Sequence, residues 1–185
     1  RQMELIEVAN QQFNLTRILN AYEAAIKHVA DSVIPWRHFA EAGMVVDVGS
    51  GAGFPGIPLA AVLPETRFVL LESLQKKARF LQSAVESLEL KNVEVYPFRA
   101  EEWLVGRRVD LITARAVAPL ERAIGLFAPA IRNGSRVLLY KGPDADAEIA
   151  AAAGEAKKRR IQTRIVDRYE LPEGMGTRTL IELSA

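Results

Sequence analysis

Hydrophobic positions in this 185-residue chain follow two rhythms. Up to residue 43 they recur every three or four positions, at Leu5, Val8 and Phe13, then at Ile18, Tyr22, Ile26, Val29 and Val33. That spacing lines one face of a helix, so residues 3–43 read as helical. Asn14-Leu15-Thr16 interrupts the run, Thr16 or Asn20 caps its second part, and Pro35 lies near its end. From residue 44 short apolar runs alternate with amphipathic stretches. Strands are expected at Met44–Val48, Arg67–Leu71, Val93–Tyr96, Val109–Ala114 and Ser135–Tyr140. Helices are expected at Pro55–Leu63, Lys76–Leu88, Arg99–Leu104, Leu120–Ala130 and Asp144–Lys158. Two last strands, Ile161–Tyr169 and Thr177–Leu183, follow one another and read as an antiparallel hairpin closing one edge. The class is α/β: a mostly parallel seven-stranded sheet with helices on both faces. Residues 1–185 form one domain, with 1–43 as a helical cap on a 44–185 core.

In such a sheet ligands bind beyond the carboxyl ends of the strands, and those ends carry the candidate chemistry. The first strand runs through Asp47 into Gly49-Ser50-Gly51-Ala52-Gly53-Phe54-Pro55-Gly56. Glycines permit positive φ and close approach of a ligand, and the following helix offers amides at its start. A nucleotide-like cofactor is the first reading. An acid beside the turn suits an ammonium better than a pyrophosphate, so Asp47 favours S-adenosylmethionine over NAD. Asp47, Gly49, Gly51 and Gly53 are assigned to its methionine end. Glu72 ends the second strand, 25 residues after Asp47, and is placed to accept the ribose hydroxyls. Glu101 follows the third strand and could meet the adenine edge. Arg115 ends the fourth and suits an anionic or nucleobase substrate. Lys141 ends the fifth and suits phosphate. Asn14, Lys27, His28 and Asp31 are polar residues of the cap.

Composition narrows this picture. The chain lacks cysteine, which rules out disulfides, thiolate metal sites and a cysteine nucleophile and fits a cytoplasmic protein. Two histidines are too few for a histidine-only metal cluster, and no metal is expected. No signal peptide or apolar run of membrane-spanning length is visible, and an N-terminus at Arg1 rather than Met fits a trimmed chain. Net charge is +1, yet Lys76-Lys77-Ala78-Arg79, Arg107-Arg108 and Lys157-Lys158-Arg159-Arg160 are local basic clusters that raise the nucleic-acid option.

Several blocks together are more specific. Asn14-Leu15-Thr16, Lys27 to Ser32, Asp47 to Pro58, Leu71-Glu72-Ser73-Leu74 with Lys76-Lys77, Arg99-Ala100-Glu101, Ala114-Arg115-Ala116, Lys141-Gly142 and Gly176-Thr177-Arg178 resemble the bacterial 16S ribosomal RNA guanine-N7 methyltransferases, also called glucose-inhibited division protein B. The resemblance implies a class I, Rossmann-like adenosylmethionine-dependent methyltransferase fold and methyl transfer to guanine N7 of 16S rRNA in the small ribosomal subunit. It implies cofactor contacts at Gly49, Phe54, Ala100, Glu101 and Arg115, with Glu72 near the ribose, and Ser73 and Leu74 are counted with the cofactor-binding residues. Arg115 and Lys141 are the candidates for orienting the RNA, with Asn14, His28, Lys27 and Arg178 beside them. A monomer is expected. The competing readings are an NAD-dependent oxidoreductase and a non-catalytic RNA-binding or ribosome-assembly module.

Overall fold

The computed structural model describes residues 1–18 and 20–185. Seven strands form one sheet in the order β3-β2-β1-β4-β5-β7-β6. β1 (Met44–Val48), β2 (Arg67–Leu71), β3 (Val93–Tyr96), β4 (Leu111–Arg115) and β5 (Arg136–Lys141) are parallel. β7 (Thr177–Ser184) lies antiparallel between β5 and β6 (Gln162–Glu170). The sheet is therefore mixed, and the expected terminal hairpin is present, with β7 inserted so that β6 forms the edge. Strand order reverses at β1, whose neighbours β2 and β4 lead the chain in opposite directions. The crevice between the ends of β1 and β4 is the switch point at which such sheets take ligands.

Alternation along each strand divides the core in two. Val46, Val48, Ile112, Val137 and Leu139 face α7 (Leu120–Arg132) and α8 (Ala145–Arg159), packing on Leu120, Ile124, Phe127 and Ala152. Val45, Phe68, Leu70, Leu111, Leu138, Tyr140 and Leu180 face the other way, toward α4 (Gly56–Val62), α5 (Gln75–Ser87) and the cap residues Ile6 and Phe39. The central strands are buried on both faces, which is why they read as unbroken apolar runs. The same alternation sends Asp47, Thr113, Arg115 and Arg178 to the cap side.

The cap is less regular than the 3–43 helical reading. α1 (Gln2–Asn10) is followed by an irregular stretch, then α2 (Ala21–Ala24), a π-helical turn (Ala25–Ala30), α3 (Asp31–Val33) and a 3-10 turn (Trp36–His38). Asn10 explains the break: its side chain accepts from the amides of Leu15 and Thr16 and donates to Thr16 O, which folds the chain back. Asn20 caps α2 by accepting from the Glu23 amide, as expected of one of the two candidates. Two residues assigned to the apolar face point outward, Val8 at 61% and Tyr22 at 56% exposure. The Tyr22 hydroxyl donates to the Glu173 carboxylate, on the loop between β6 and β7. No helix among the described residues is long and apolar enough to cross a membrane.

Tyr140 joins cap to sheet: its buried hydroxyl donates to Ser32 O at 2.8 Å. Burial raises its pKa well above the ordinary tyrosine value, so the hydroxyl stays a donor. Tyr140→Phe should lower unfolding free energy by about 1–2 kcal/mol in urea titration, since it strips a buried carbonyl of its donor. An unchanged midpoint would mean that the cap is held elsewhere.

Candidate functional site

Asp47 lies at the bottom of the switch-point crevice. It is 1% exposed, and its Oδ2 accepts from the Gly56 amide at 3.0 Å. Its Oδ1 has no partner; among the described residues the other such buried side-chain atom is Ser135 Oγ. Burial raises the Asp47 carboxyl from the ordinary 3.8 to about 6, against the lowering effect of the Gly56 amide, the Ser50 hydroxyl and the Arg115 charge. A folded carboxyl that keeps its proton longer than the unfolded one makes the fold less stable as pH rises between about 4 and 6. Above that window the contribution is flat.

The turn after β1 is compact because it hydrogen-bonds to itself. Gly49 and Ser50 amides donate to Leu71 O, Gly53 and Phe54 amides to Ser50 O, and Ile57 to Gly53 O. The Gly51 amide donates to Glu72 Oε2 at 3.1 Å, and Glu72 Oε1 accepts from the Leu74 amide at 2.8 Å. The amides expected to be open at the helix start are thus already committed. A pyrophosphate needs such donors; a group bound through Asp47 does not. Glu72 is buried, makes no ion pair with Lys76, and clamps the turn from the end of β2. Each of its oxygens retains a lone pair for a ribose hydroxyl.

The glycines have separate reasons. Gly51, at φ 57°, would place a Cβ 3.8 Å from the nearest atom, so it faces open space and needs glycine for its backbone alone. Gly56 has ordinary φ, but a Cβ there would lie 2.3 Å from Leu70 Cδ2 and 2.7 Å from Asp47 Oδ2. Gly53 combines φ 94° with a Cβ position 2.5 Å from Ile57, and Gly49 combines φ 70° with contact at 3.0 Å to Val117. Close approach of backbone to core, rather than to ligand, therefore accounts for Gly53 and Gly56. Gln2 of α1 donates to Ala52 O and ties the cap to the turn.

Above the turn, Phe54 is buried beneath the His28 ring, at 4.7 Å and 19° between planes, with the Arg115 guanidinium 5.3 Å from its centroid. Arg115 Nη1 donates to Lys27 O at 3.1 Å and to Asp31 Oδ2 at 3.3 Å, and Nη2 lies 3.1 Å from His28 Nδ1. Guanidinium only donates, so Nδ1 accepts and the His28 proton sits on Nε2, which faces Thr16 Oγ1 at 2.9 Å. Burial and the Arg115 charge lower His28 to about 4, which keeps the ring neutral.

A model of the family described as "rRNA small subunit methyltransferase G" matches residues 1–174. The chain belongs to that family. A Ribosomal RNA small subunit methyltransferase G from Solibacter usitatus is 67% identical over 183 residues, covering 99% of this chain and 87% of that protein. The protein of the same name from Carboxydothermus hydrogenoformans is 36% identical, covering 98% of this chain and 79% of its own length. Among solved structures, a SAM-dependent methyltransferase from Aquifex aeolicus has a TM-score of 0.59 at 18% identity, covering 88% of this chain and 93% of that one. A putative O-methyltransferase from Klebsiella pneumoniae has a TM-score of 0.63 at 15% identity, covering 100% and 90%. The fold is the class I methyltransferase fold.

Within this chain, the expected residues divide by strand parity. Arg115, His28, Phe54, Lys27 O and Arg178 meet on the cap side. Lys141 does not join them. It is one residue beyond Tyr140, which pairs with Arg115, so its side chain takes the opposite face. There Nζ donates to Ala118 O at 3.0 Å and pairs with Glu148 of α8 at 2.7 Å. A lysine so engaged is not the open phosphate ligand expected in the Arg115 mouth. Lys27 Nζ is likewise paired, with Glu23 at 2.6 Å. Asn14 is exposed on the loop before α2. Ser73 and Leu74 are exposed after β2, Ala100 is buried at the start of α6 (Ala100–Trp103), and Glu101 beside it is exposed. Leu74, Phe98 and Val117, on three strand-end loops, leave 58%, 47% and 40% of their surfaces open.

The two larger clefts lie to either side of this mouth. One of about 630 Å³ runs between α1 and α5, and one of about 750 Å³ between the α6 loop and α7. Only the second reaches mouth residues, at Glu101, Val117 and Ala118. Sequence reasoning missed Tyr169, which donates to Asp31, and gave Asp31 no role beyond cap polarity. A lone acid between Val29 and Val33 was the available signal.

Gly56→Ala should destabilise the protein by about 1–3 kcal/mol in denaturant titration, through overpacking against Leu70 and Asp47. Gly51→Ala should cost about 1 kcal/mol, from its backbone conformation alone. A larger loss at Gly51 than at Gly56 would refute this division of roles.

Proposed function

We propose that this chain transfers the methyl group of S-adenosylmethionine to N7 of a guanine in 16S ribosomal RNA. Family membership supports the rRNA methyltransferase class. The observation that carries the cofactor reading is the partnerless Oδ1 of Asp47 beneath a turn most of whose amides are already used. A buried carboxylate oxygen without a donor fits an ammonium, and committed amides do not fit a pyrophosphate. An NAD-dependent oxidoreductase is disfavoured on the same grounds. Asp47, Gly49, Gly51 and Gly53 would border the methionine end, Glu72 and the exposed Ser73 and Leu74 the ribose, and Ala100 and Glu101 the adenine edge. Leu74, Phe98 and Val117 offer an apolar rim suited to a flat purine. When bound, adenosylmethionine supplies an activated methyl group.

Guanine N7 carries a lone pair and no proton, so its methylation requires no general base. The residues agree with that requirement. His28 is neutral, its Nδ1 is filled by Arg115 and its Nε2–H faces Thr16, so it is placed to stack and orient rather than to remove a proton. Arg115 and Arg178 supply positive charge at the mouth for the RNA, and alignment of the base is the catalytic contribution. Asn14 on the exposed loop and Lys27 on the cap are proposed as outer RNA contacts. The proposal takes the RNA as part of the small subunit and the enzyme as a cytoplasmic monomer.

Small subunits lacking the modification should accept labelled methyl groups, and chain cleavage specific for 7-methylguanine should map them to one guanine. Absence of transfer, or transfer to another atom, would overturn the reading. Adenosylmethionine affinity, measured by calorimetry, should fall about tenfold per pH unit below about 6, because binding an ammonium requires ionised Asp47. His28, at about 4, does not titrate in that window. Asp47→Asn should weaken binding and remove the slope. Tight NAD binding without adenosylmethionine binding would sink the assignment.

A further inference from the structure

The cap contains a six-residue π-helical turn, Ala25–Ala30, between α2 and α3. π turns cost hydrogen-bond geometry and are found mostly where a side chain or carbonyl must be displayed. Here the displacement is visible. The Asp31 amide donates to Ile26 O, five residues back, as well as to His28 O. Lys27 O, its partner in an ordinary α-helix, instead receives Arg115 Nη1. Lys27 O, His28 Nδ1 and Asp31 Oδ2 thus form one socket for a single guanidinium.

Asp31 does more than close that socket. Its side chain is buried, and Oδ2 accepts both Arg115 Nη1 at 3.3 Å and Arg178 Nε at 3.2 Å. Its Oδ1 and its backbone carbonyl both accept from the Tyr169 hydroxyl at 3.0 Å. Three strands, β4, β7 and β6, therefore converge on one carboxylate. One negative charge faces two guanidiniums, and these side chains keep 18% and 24% of their surfaces open. Arginine pairs of this kind present a fixed fork to an oxyanion.

Resting on the methyl-transfer reading, we infer that Asp31 is a positioning residue. It acts through Arg115 and Arg178, holding the two guanidiniums together at the mouth with one uncompensated positive charge. That charge receives a phosphate of the nucleotide to be methylated. Asp31 touches neither the base nor the cofactor. Tyr169 fixes the carboxylate from behind, so that its other oxygen stays on the arginines.

A role exerted through the two arginines has a signature that general loosening of the cap lacks: its effect disappears when both are absent. Asp31→Asn should lower the single-turnover methylation rate at saturating RNA about 10²-fold, the scale of a misplaced substrate anchor. Adenosylmethionine affinity should be unchanged. Added to a variant that carries both Arg115→Ala and Arg178→Ala, Asp31→Asn should lower the rate no further. Tyr169→Phe should give a smaller loss that likewise vanishes when both arginines are alanine, and it carries the comparison if Asp31→Asn does not fold. In the free enzyme, NMR should show slow rotation of the Arg115 and Arg178 guanidiniums, lost in Asp31→Asn or Tyr169→Phe. Additive losses, an unchanged rate, or guanidinium rotation indifferent to both substitutions would overturn the inference. If the wild type transfers no methyl group, the reaction reading fails, and the NMR comparison still decides whether Asp31 holds the pair.

Discussion

Burying a carboxylate with one oxygen unanswered is the constraint around which this domain is arranged. Asp47 is inside because β1 is central, with helices on both faces, and because its parity turns it toward the cap. The Gly56 amide meets its Oδ2 from the protein. That contact sets the geometry above it: Gly56 must lack a side chain, α4 must start there, and the turn must close on itself through Ser50, Leu71 and Glu72. A buried carboxylate oxygen results, with demand for a donor and few spare donors around it.

The cap answers a second demand, for charge at the rim. Arginines leaving β4 and β7 would extend into water if the cap were an ordinary helix. The π-helical turn displays a carbonyl, a neutral imidazole and a carboxylate at one point, and this draws the guanidiniums inward. Phe54 lies between the two systems, stacked on His28 and under Arg115, and so packs the glycine turn against the cap. The basic clusters play no part in this. Lys158 and Arg159 pair with Glu155, and Arg107 lies over Trp103.

Strand parity also explains why two cations at neighbouring strand ends have different fates. Arg115 and Lys141 both close a parallel strand, and both are reasonable phosphate ligands by residue type. The register pairs Arg115 with Tyr140, which commits Lys141 to the α8 side, where Glu148 neutralises it. Desolvation favours that pairing, since Lys141 keeps only 11% of its side-chain surface.

The sequence by itself determined the α/β class, the strand and helix positions of residues 44–185 to within a few residues, the glycine turn with its acid, and the family. Those features are local: a buried parallel strand reads as an apolar run, and a tight turn needs glycine wherever φ is positive. Only the tertiary structure decided which glycines serve the backbone and which the packing, that Glu72 clamps the turn, that Lys141 faces away, and that Asp31 gathers three strands. These outcomes depend on register, on β7 inserting between β5 and β6, and on a π turn with no signature in residue type. Partners such as Asp31 and Arg178 are 147 residues apart, and nothing along the chain brings them together until the sheet has formed.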